Sequence, residues 1–291
     1  MRVLAVGLMC GAMVCFTGLD TCAKWLGFTL PALQIVWARY VAAALIALAA
    51  SRPFSRPSAL RSRRPGLQTL RSALLLGSTT ANVLALRQLQ LSETATISFL
   101  TPIFVALFAG PLLCEKVGAE RMAAIVVGFL GVAIATGPGT AAFQPIVLIA
   151  VAGVLGNTGY VLATRRIAAE DSPQTTLAWT QIAGFVLLTP LLPWVWRHPA
   201  TPQVWLVMAV MGVFGAAGHA LLIVAHRFAP APALTPFTYT QLLWMIVSGV
   251  LVFGDWPSAA TLAGAALVVV CGAYLAVRER RERRATVDKV Y

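Results

Sequence analysis

The chain has 291 residues, of which 59% are hydrophobic and only 11% are charged, and its mean hydropathy is +0.81. Soluble globular domains carry about 25% charged residues, so this composition excludes a soluble enzyme or binding domain and indicates an integral membrane protein. The net charge is +12. Its uneven placement along the chain is typical of membrane orientation rather than of nucleic-acid binding.

Ten apolar segments are long enough to cross a bilayer as helices, which takes about 20 residues each. They are predicted at 3–26, 31–50, 70–90, 93–113, 119–137, 145–165, 173–195, 203–225, 232–253 and 258–277. The sequence therefore predicts an all-α integral membrane protein with ten transmembrane helices.

The positive charges indicate which way these helices cross the membrane. All but four of the 22 Lys and Arg residues fall on one side if the N-terminus is cytoplasmic, the exceptions being Lys24, Arg39, Arg87 and Arg197. This asymmetry follows the positive-inside rule and predicts that both termini are cytoplasmic. Residues 278–291 then form a basic cytoplasmic tail.

The two halves of the chain repeat each other at an offset of about 140 residues. The stretch P-A-L-Q-I-V-W-A-R at 31–39 recurs as P-Q-T-T-L-A-W-T-Q at 173–181, and Glu115 is matched by Asp255. Five spans is an odd number, so the second copy would cross the membrane with reversed polarity. We predict two inverted-topology repeats, 1–140 and 141–277, an arrangement typical of secondary transporters.

Several short motifs together resemble the EamA family of the drug/metabolite transporter superfamily. They are Lys24 ending the first span, Pro31-x7-Arg39 opening the second, S-E-T-A-T-I-S-F-L-T-P-I-F at 92–104, Glu115, then A-P-A-L-T-P-F at 231–237, Asp255, Gly264 and Gly272. The resemblance implies ten helices around a central cavity and export of small metabolites across a bacterial inner membrane, without a cofactor. In length and aromatic content the chain is similar to the YddG-type amino-acid exporters of the family. Two departures are Asp255, where Glu is usual, and Gln181, which stands opposite Arg39 of the first half.

Polar and aromatic side chains at mid-depth are the candidate cavity residues, because a polar group in lipid is costly unless it faces a cavity or a partner helix. They are Asn82, Ser98, Thr101, Asn157, Tyr160, Trp179, Gln181, His219, Tyr239, Gln241 and Trp244. The alternative is that these side chains bond or pack within their own helix bundle. For His219 two roles stay open, a proton carrier or a neutral hydrogen-bonding group.

Three charged residues lie within the first two spans. Asp20 and Lys24 are four residues apart, so we expect them to pair on one helix face; the alternative is that Asp20 couples transport to an ion. Arg39 either contacts a substrate carboxylate or extends its charge to the membrane surface.

Two prolines are candidate gates. Pro102 lies within the fourth span and Pro236 at the start of the ninth. A proline inside a helix removes a backbone hydrogen bond and makes bending easier. We hypothesise that these two spans bend during transport.

The predicted function is export of small metabolites, chiefly amino acids including aromatic ones, by alternating access. Nucleobases or nucleosides, drug-like cations and a channel are the alternatives. An enzyme would need a nucleophile with its base, paired carboxylates or a metal cluster, and no such pattern stands out, so neither catalysis nor a metal site is expected. Expected partners are the substrate and the lipid bilayer, and a homodimer through the glycine-bearing fifth and tenth spans is left open.

Overall fold

The computed structural model describes residues 2–51, 62–113, 119–137, 143–167, 170–229 and 231–287. Within these ranges the chain is helical and contains no strand, which confirms the all-α prediction. The helices are α1 (Arg2–Leu26), α2 (Ala32–Ser51), α3 (Pro65–Leu86), α4 (Leu91–Ser98), α5 (Leu100–Leu113), α6 (Ala119–Thr136), α7 (Ile146–Ile167), α8 (Pro173–Leu188), α9 (Leu192–Val195), α10 (Pro202–Phe228), α11 (Ala231–Thr238), α12 (Thr240–Ser248) and α13 (Ala259–Val287). Glu115 lies outside the described residues.

Each predicted apolar segment coincides with helix. The fourth segment is divided into α4 and α5, the seventh into α8 and α9, and the ninth into α11 and α12. Among the described residues, four helical stretches are long and apolar enough to cross a membrane, namely Val3–Leu26, Ile146–Ile167, Pro202–Phe228 and Pro236–Phe253, and five shorter ones are also apolar. Helix α3 is in neither group. It carries Gln68, Arg71 and Asn82 within its length.

The helices form two compact units. Unit I comprises Met1–Thr17, Gln90–Val147 and Ala217–Tyr291, and unit II comprises Gly18–Leu89 and Leu148–Ala216. Both units take segments from both halves of the chain. The boundaries of the sequence repeats and their inverted topology stay predictions.

Close packing of α6 on α13 is the most compact feature of unit I. A Cβ on Gly131 would lie 2.8 Å from the carbonyl oxygen of Gly264, and one on Gly264 would lie 2.7 Å from the backbone nitrogen of Ala135. Only residues without a Cβ allow backbones this close. The glycines of the predicted fifth and tenth spans are therefore used within the chain, and the outward faces of both helices carry exposed Leu and Val side chains.

Unit II uses small residues in the same way between α3 and α7. A Cβ on Gly156 would lie 3.2 Å from the carbonyl oxygen of Leu74, and one on Gly153 would lie 2.8 Å from the Cβ of Ala81. Helix α8 begins with a proline at its first position, after Ser172, whose hydroxyl accepts a hydrogen bond from the Thr175 N–H at 3.1 Å. This cap satisfies one of the free N–H groups at the helix start.

Candidate functional site

Three polar side chains from α1, α2 and α3 come together in unit II. The Asn82 Nδ2 donates a hydrogen bond to the Asp20 Oδ1 at 3.3 Å. The charge of Arg39 acts on the same carboxylate. Asp20 is only 9% exposed, whereas Arg39 is half-buried. An ionised carboxylate inside a membrane is stabilised by neighbours of this kind, a donor and an opposite charge.

Lys24 lies one helical turn beyond Asp20 and is also buried, with 6% of its surface exposed. Its Nζ donates a hydrogen bond to the carbonyl oxygen of Leu89 at 3.0 Å. The ammonium thus helps to join the end of α1 to the segment that follows α3. The pairing of Lys24 with Asp20 stays a prediction, since the interactions described for Asp20 are the hydrogen bond from Asn82 and the charge of Arg39.

Arg71 forms a second polar cluster in unit II, among α3, α7 and α8. Its side chain is 1% exposed. The Nε donates to the Gln68 Oε1 at 3.1 Å, and the Nη2 donates to the Thr176 carbonyl oxygen at 2.6 Å and to the Thr180 hydroxyl. The guanidinium also lies over the Tyr160 ring, 5.1 Å from its centroid. These contacts occupy the planar fork of the arginine and hold three helices together.

Asp171, in the connector between α7 and α8, anchors the segment that leads into α3. Its carboxylate accepts hydrogen bonds from the Ser62 hydroxyl, the Arg63 N–H at 2.9 Å and the Gln68 Nε2 at 2.9 Å. Burial alone would raise the pKa of Asp171, but these three donors favour the charged form and hold the pKa below its usual value. The neighbouring Glu170 contacts the Arg64 Nε at 2.6 Å at the surface.

Aromatic and amide side chains fasten the opposite end of unit II. Gln34 is fully buried and exchanges two hydrogen bonds with the backbone of Arg197, at 2.8 and 2.9 Å. The Trp37 Nε1 donates to the Thr189 hydroxyl at 3.1 Å, and its ring meets the edge of Trp196. This end therefore joins α2 to the segment after α8.

In unit I the fourth and ninth apolar segments are each interrupted at one residue. Phe99 separates α4 from α5 and Tyr239 separates α11 from α12, so the interruptions are separated by the repeat offset. The two aromatic rings meet edge to face, with centroids 4.9 Å apart. Pro102 explains the first interruption, because its ring excludes the carbonyl of the residue four positions earlier, Ser98.

The Tyr239 hydroxyl is buried and has no hydrogen-bond partner among the described residues. It points at Gly272 of α13, where any side chain would collide with it. Gly272 therefore makes room for the tyrosine beside the helix interruption.

The remaining candidates are spread over both units. In unit I, His219 is exposed and packs against Phe16, Ser98 and Trp244 are exposed, and Thr101, Pro102, Pro236 and Gln241 are half-buried. In unit II, Asn157 and Trp179 are half-buried, and the side chain of Gln181 lies outside what the structure describes. Of the predicted cavity set, the structure links Asn82 directly to the charged candidate Asp20.

Sequence reasoning missed Arg71. Arg71 entered the prediction only as one of the positive charges on the cytoplasmic side, because the positive-inside rule weighs the charge and not the contacts. The sequence nevertheless contains a pattern that indicates hydrogen-bond partners for Arg71. Gln68 stands one turn before Arg71, and Thr176 and Thr180 stand one turn apart on α8. A group of His, Cys, Asp or Glu side chains suited to a metal does not occur among the described residues.

Comparison with known proteins gives three findings. The model of the EamA-like transporter family matches twice, at residues 3–137 and 144–278. The chain is 22% identical to an S-adenosylmethionine uptake transporter of Rickettsia prowazekii over 90% of this chain and 88% of that protein, and 27% identical to a riboflavin transporter of Vibrio cholerae over 88% and 87%. A crystal structure with a TM-score of 0.63 and 19% identity covers 93% of this chain and 98% of its own, which shows a shared fold.

Proposed function

The chain belongs to the EamA-like transporter family, and from this premise we propose that it exports small metabolites, chiefly amino acids including aromatic ones, by alternating access. It is an integral membrane protein. The proposal includes cytoplasmic termini and two inverted repeats, which would expose one binding site first to one side of the membrane and then to the other.

The paired interruptions at Phe99 and Tyr239 carry the proposed mechanism. A continuous helix resists bending, whereas a residue at which the hydrogen-bond ladder is broken absorbs a change of direction. The two interruptions occupy equivalent places in the two halves, and their side chains touch. Equivalent bending points support a cycle in which the fourth and ninth segments bend alternately, with Pro102 and Pro236 beside them.

Two kinds of side chain in unit II support an amino-acid substrate. Asp20, Arg39 and Asn82 supply charges and an amide, and Tyr160 and Trp179 supply aromatic surface within the same unit. Small-molecule sites combine such aromatic surface with a few placed polar groups.

A second candidate function is uptake of a larger ring-containing metabolite. It is favoured by the names of the relatives, which are an S-adenosylmethionine uptake transporter and riboflavin transporters. S-adenosylmethionine itself carries an α-amino-acid group and an aromatic base. It therefore has the same two chemical groups as an aromatic amino acid, the proposed substrate.

Counterflow in liposomes separates these candidates. Purified protein is reconstituted, the vesicles are loaded with unlabelled compound, and entry of the labelled compound is measured for phenylalanine, leucine, S-adenosylmethionine and riboflavin. We expect exchange of phenylalanine above protein-free vesicles. Exchange of riboflavin alone would reject the amino-acid proposal and leave the transporter class intact. Flux measured separately in cells in each direction tests export against uptake.

A further inference from the structure

We propose that Asp20 and Arg39 form the recognition site for a zwitterionic α-amino-acid group. The substrate carboxylate would bind Arg39, and the substrate ammonium would bind Asp20. In the empty protein the two side chains serve as counter-ions for each other. This inference rests on the proposed transport function and adds the part of the substrate that is recognised.

Among Lys24, Arg39 and Arg71, Arg39 is the cation best placed to meet a ligand. The Lys24 ammonium is buried and bonded to the Leu89 carbonyl oxygen, and the Arg71 guanidinium is buried with its fork occupied by Gln68, Thr176 and Thr180. Arg39 is only half-buried. A guanidinium that keeps accessible surface can offer its paired donors to a carboxylate in a bidentate arrangement.

Asp20 is held in place on the other side of the pair. The Asn82 amide donates to its Oδ1, which leaves the second carboxylate oxygen to accept a bond from an ammonium group. Asn82 would therefore act as a positioning residue that keeps the carboxylate oriented while its counter-ion changes.

The energetics of charge inside a membrane favour a zwitterion over a singly charged ligand. A carboxylate that bound Arg39 alone would leave the buried Asp20 without a counter-ion, and an amine that bound Asp20 alone would leave the half-buried Arg39 without one. Removing one partner of a buried charge pair is strongly destabilising. A zwitterion supplies both charges at once, so neither side chain loses its partner during the exchange.

The first test uses unmodified protein and three related compounds in the counterflow assay. Phenylalanine carries both groups, phenethylamine lacks the carboxylate and 3-phenylpropionate lacks the ammonium. We expect phenylalanine to compete at least about 10-fold better than either analogue, the ratio expected for one charge-assisted hydrogen bond. S-adenosylmethionine and its decarboxylated form provide the same comparison if the larger compound is the substrate.

The second test uses Arg39→Gln and Asp20→Asn. Arg39→Gln should lower the affinity for phenylalanine at least about 10-fold and abolish the preference over phenethylamine, because the carboxylate has lost its partner. Asp20→Asn should abolish the preference over 3-phenylpropionate instead. The double variant Asp20→Asn/Arg39→Gln leaves neither charge uncompensated, so it remains informative if a single variant fails to fold. It should lose both preferences.

Arg197→Gln is the matched control, since it makes the same substitution at an exposed arginine of the same unit, and its affinities should equal those of the unmodified protein. Equal exchange of all three phenyl compounds, or preferences that survive in the double variant, would overturn the inference while leaving transport established. Exchange of riboflavin alone, unaffected by Arg39→Gln, would overturn it as well. Absence of exchange for every compound would overturn the transport proposal and this inference together.

Discussion

Both units contain close glycine contacts between helices, but they differ in the polar groups that they bury. Unit II buries charged groups, Asp20, Lys24, Arg71 and Asp171, and each has named hydrogen-bond partners. Unit I relies on glycine contacts between α6 and α13 and on aromatic packing at two helix interruptions.

Two tyrosines with the same burial show this difference most directly. Tyr40 in unit II is 5% exposed and shares a hydrogen bond with Thr79, whereas Tyr239 in unit I is 6% exposed and its hydroxyl has no partner among the described residues. A satisfied polar network fixes one arrangement. Packing without such bonds can exchange one arrangement for another. From this comparison we propose that recognition takes place in unit II and bending in unit I.

The largest effect is expected from Gly264→Leu in unit I. The side chain would collide with the backbone of α6 at Gly131 and Ala135, and we expect a loss of at least about 3 kcal/mol of folding free energy. The yield of monodisperse protein and the thermal unfolding midpoint measure it. Gly7→Leu, on α1 of the same unit with open space around it, is the control and should fold normally. Equal behaviour of both variants would contradict the role of the α6–α13 contact.

The next largest effect is expected from Arg71→Lys in unit II. Lysine keeps the charge but loses the fork that bonds Gln68, Thr176 and Thr180, which should cost about 1–3 kcal/mol. Thermal unfolding in detergent is the measurement. Arg64→Lys, at a surface arginine bonded to Glu170, should change the stability by less than about 0.5 kcal/mol. An unchanged thermal unfolding midpoint in Arg71→Lys would mean that the stability of unit II does not depend on its polar network.

Asp171→Asn should destabilise unit II by about 1–2 kcal/mol at neutral pH, because three donors then face a neutral amide. The pKa of Asp171 is lowered by folding, so its contribution is present above the ordinary aspartate value of about 3.9. It is lost as the pH falls through the lower folded value. The difference between the variant and the unmodified protein should therefore shrink under strongly acidic conditions. Glu170→Gln, one position earlier and more exposed, should show little change at any pH.

The smallest effect separates the two tyrosines. Tyr239→Phe removes a hydroxyl without a partner and should leave stability unchanged or slightly higher, whereas Tyr40→Phe should cost about 1 kcal/mol through loss of the bond to Thr79. Unfolding midpoints of the two variants test this pair of expectations. Equal losses of stability in the two variants would show that the Tyr239 hydroxyl forms a hydrogen bond. That result would contradict the difference drawn between the two units.

Hydropathy and segment length were sufficient to predict the helices, because each apolar segment must form helix when no water is present to bond its backbone. The interruption at Phe99 could also be predicted from Pro102, because a proline ring excludes the carbonyl of the residue four positions earlier, which is Ser98. The interruption at Tyr239 was not, because Pro236 precedes it and the disturbance caused by a proline ring falls on the N-terminal side.

The partners of the charged residues were harder to predict. The spacing of Asp20 and Lys24 along one helix predicts a local pair, and that pair stays a prediction. What the structure adds comes from other helices, namely the hydrogen bond from Asn82 and the charge of Arg39 on Asp20. Lys24 bonds a backbone carbonyl that follows α3. The spacing of two residues along a helix indicates whether they share a face, but it does not indicate which distant helix packs against that face.

The assignment of recognition to unit II and bending to unit I is tested most directly by counterflow kinetics of Arg39→Gln and Pro102→Ala in matched vesicles. We predict that Arg39→Gln raises the KM for phenylalanine at least about 10-fold with little change in the maximal rate. Pro102→Ala should lower the maximal rate at an unchanged KM, because it restores a continuous helix where bending is needed. An unchanged KM in Arg39→Gln, or an unchanged rate in Pro102→Ala, would contradict that assignment.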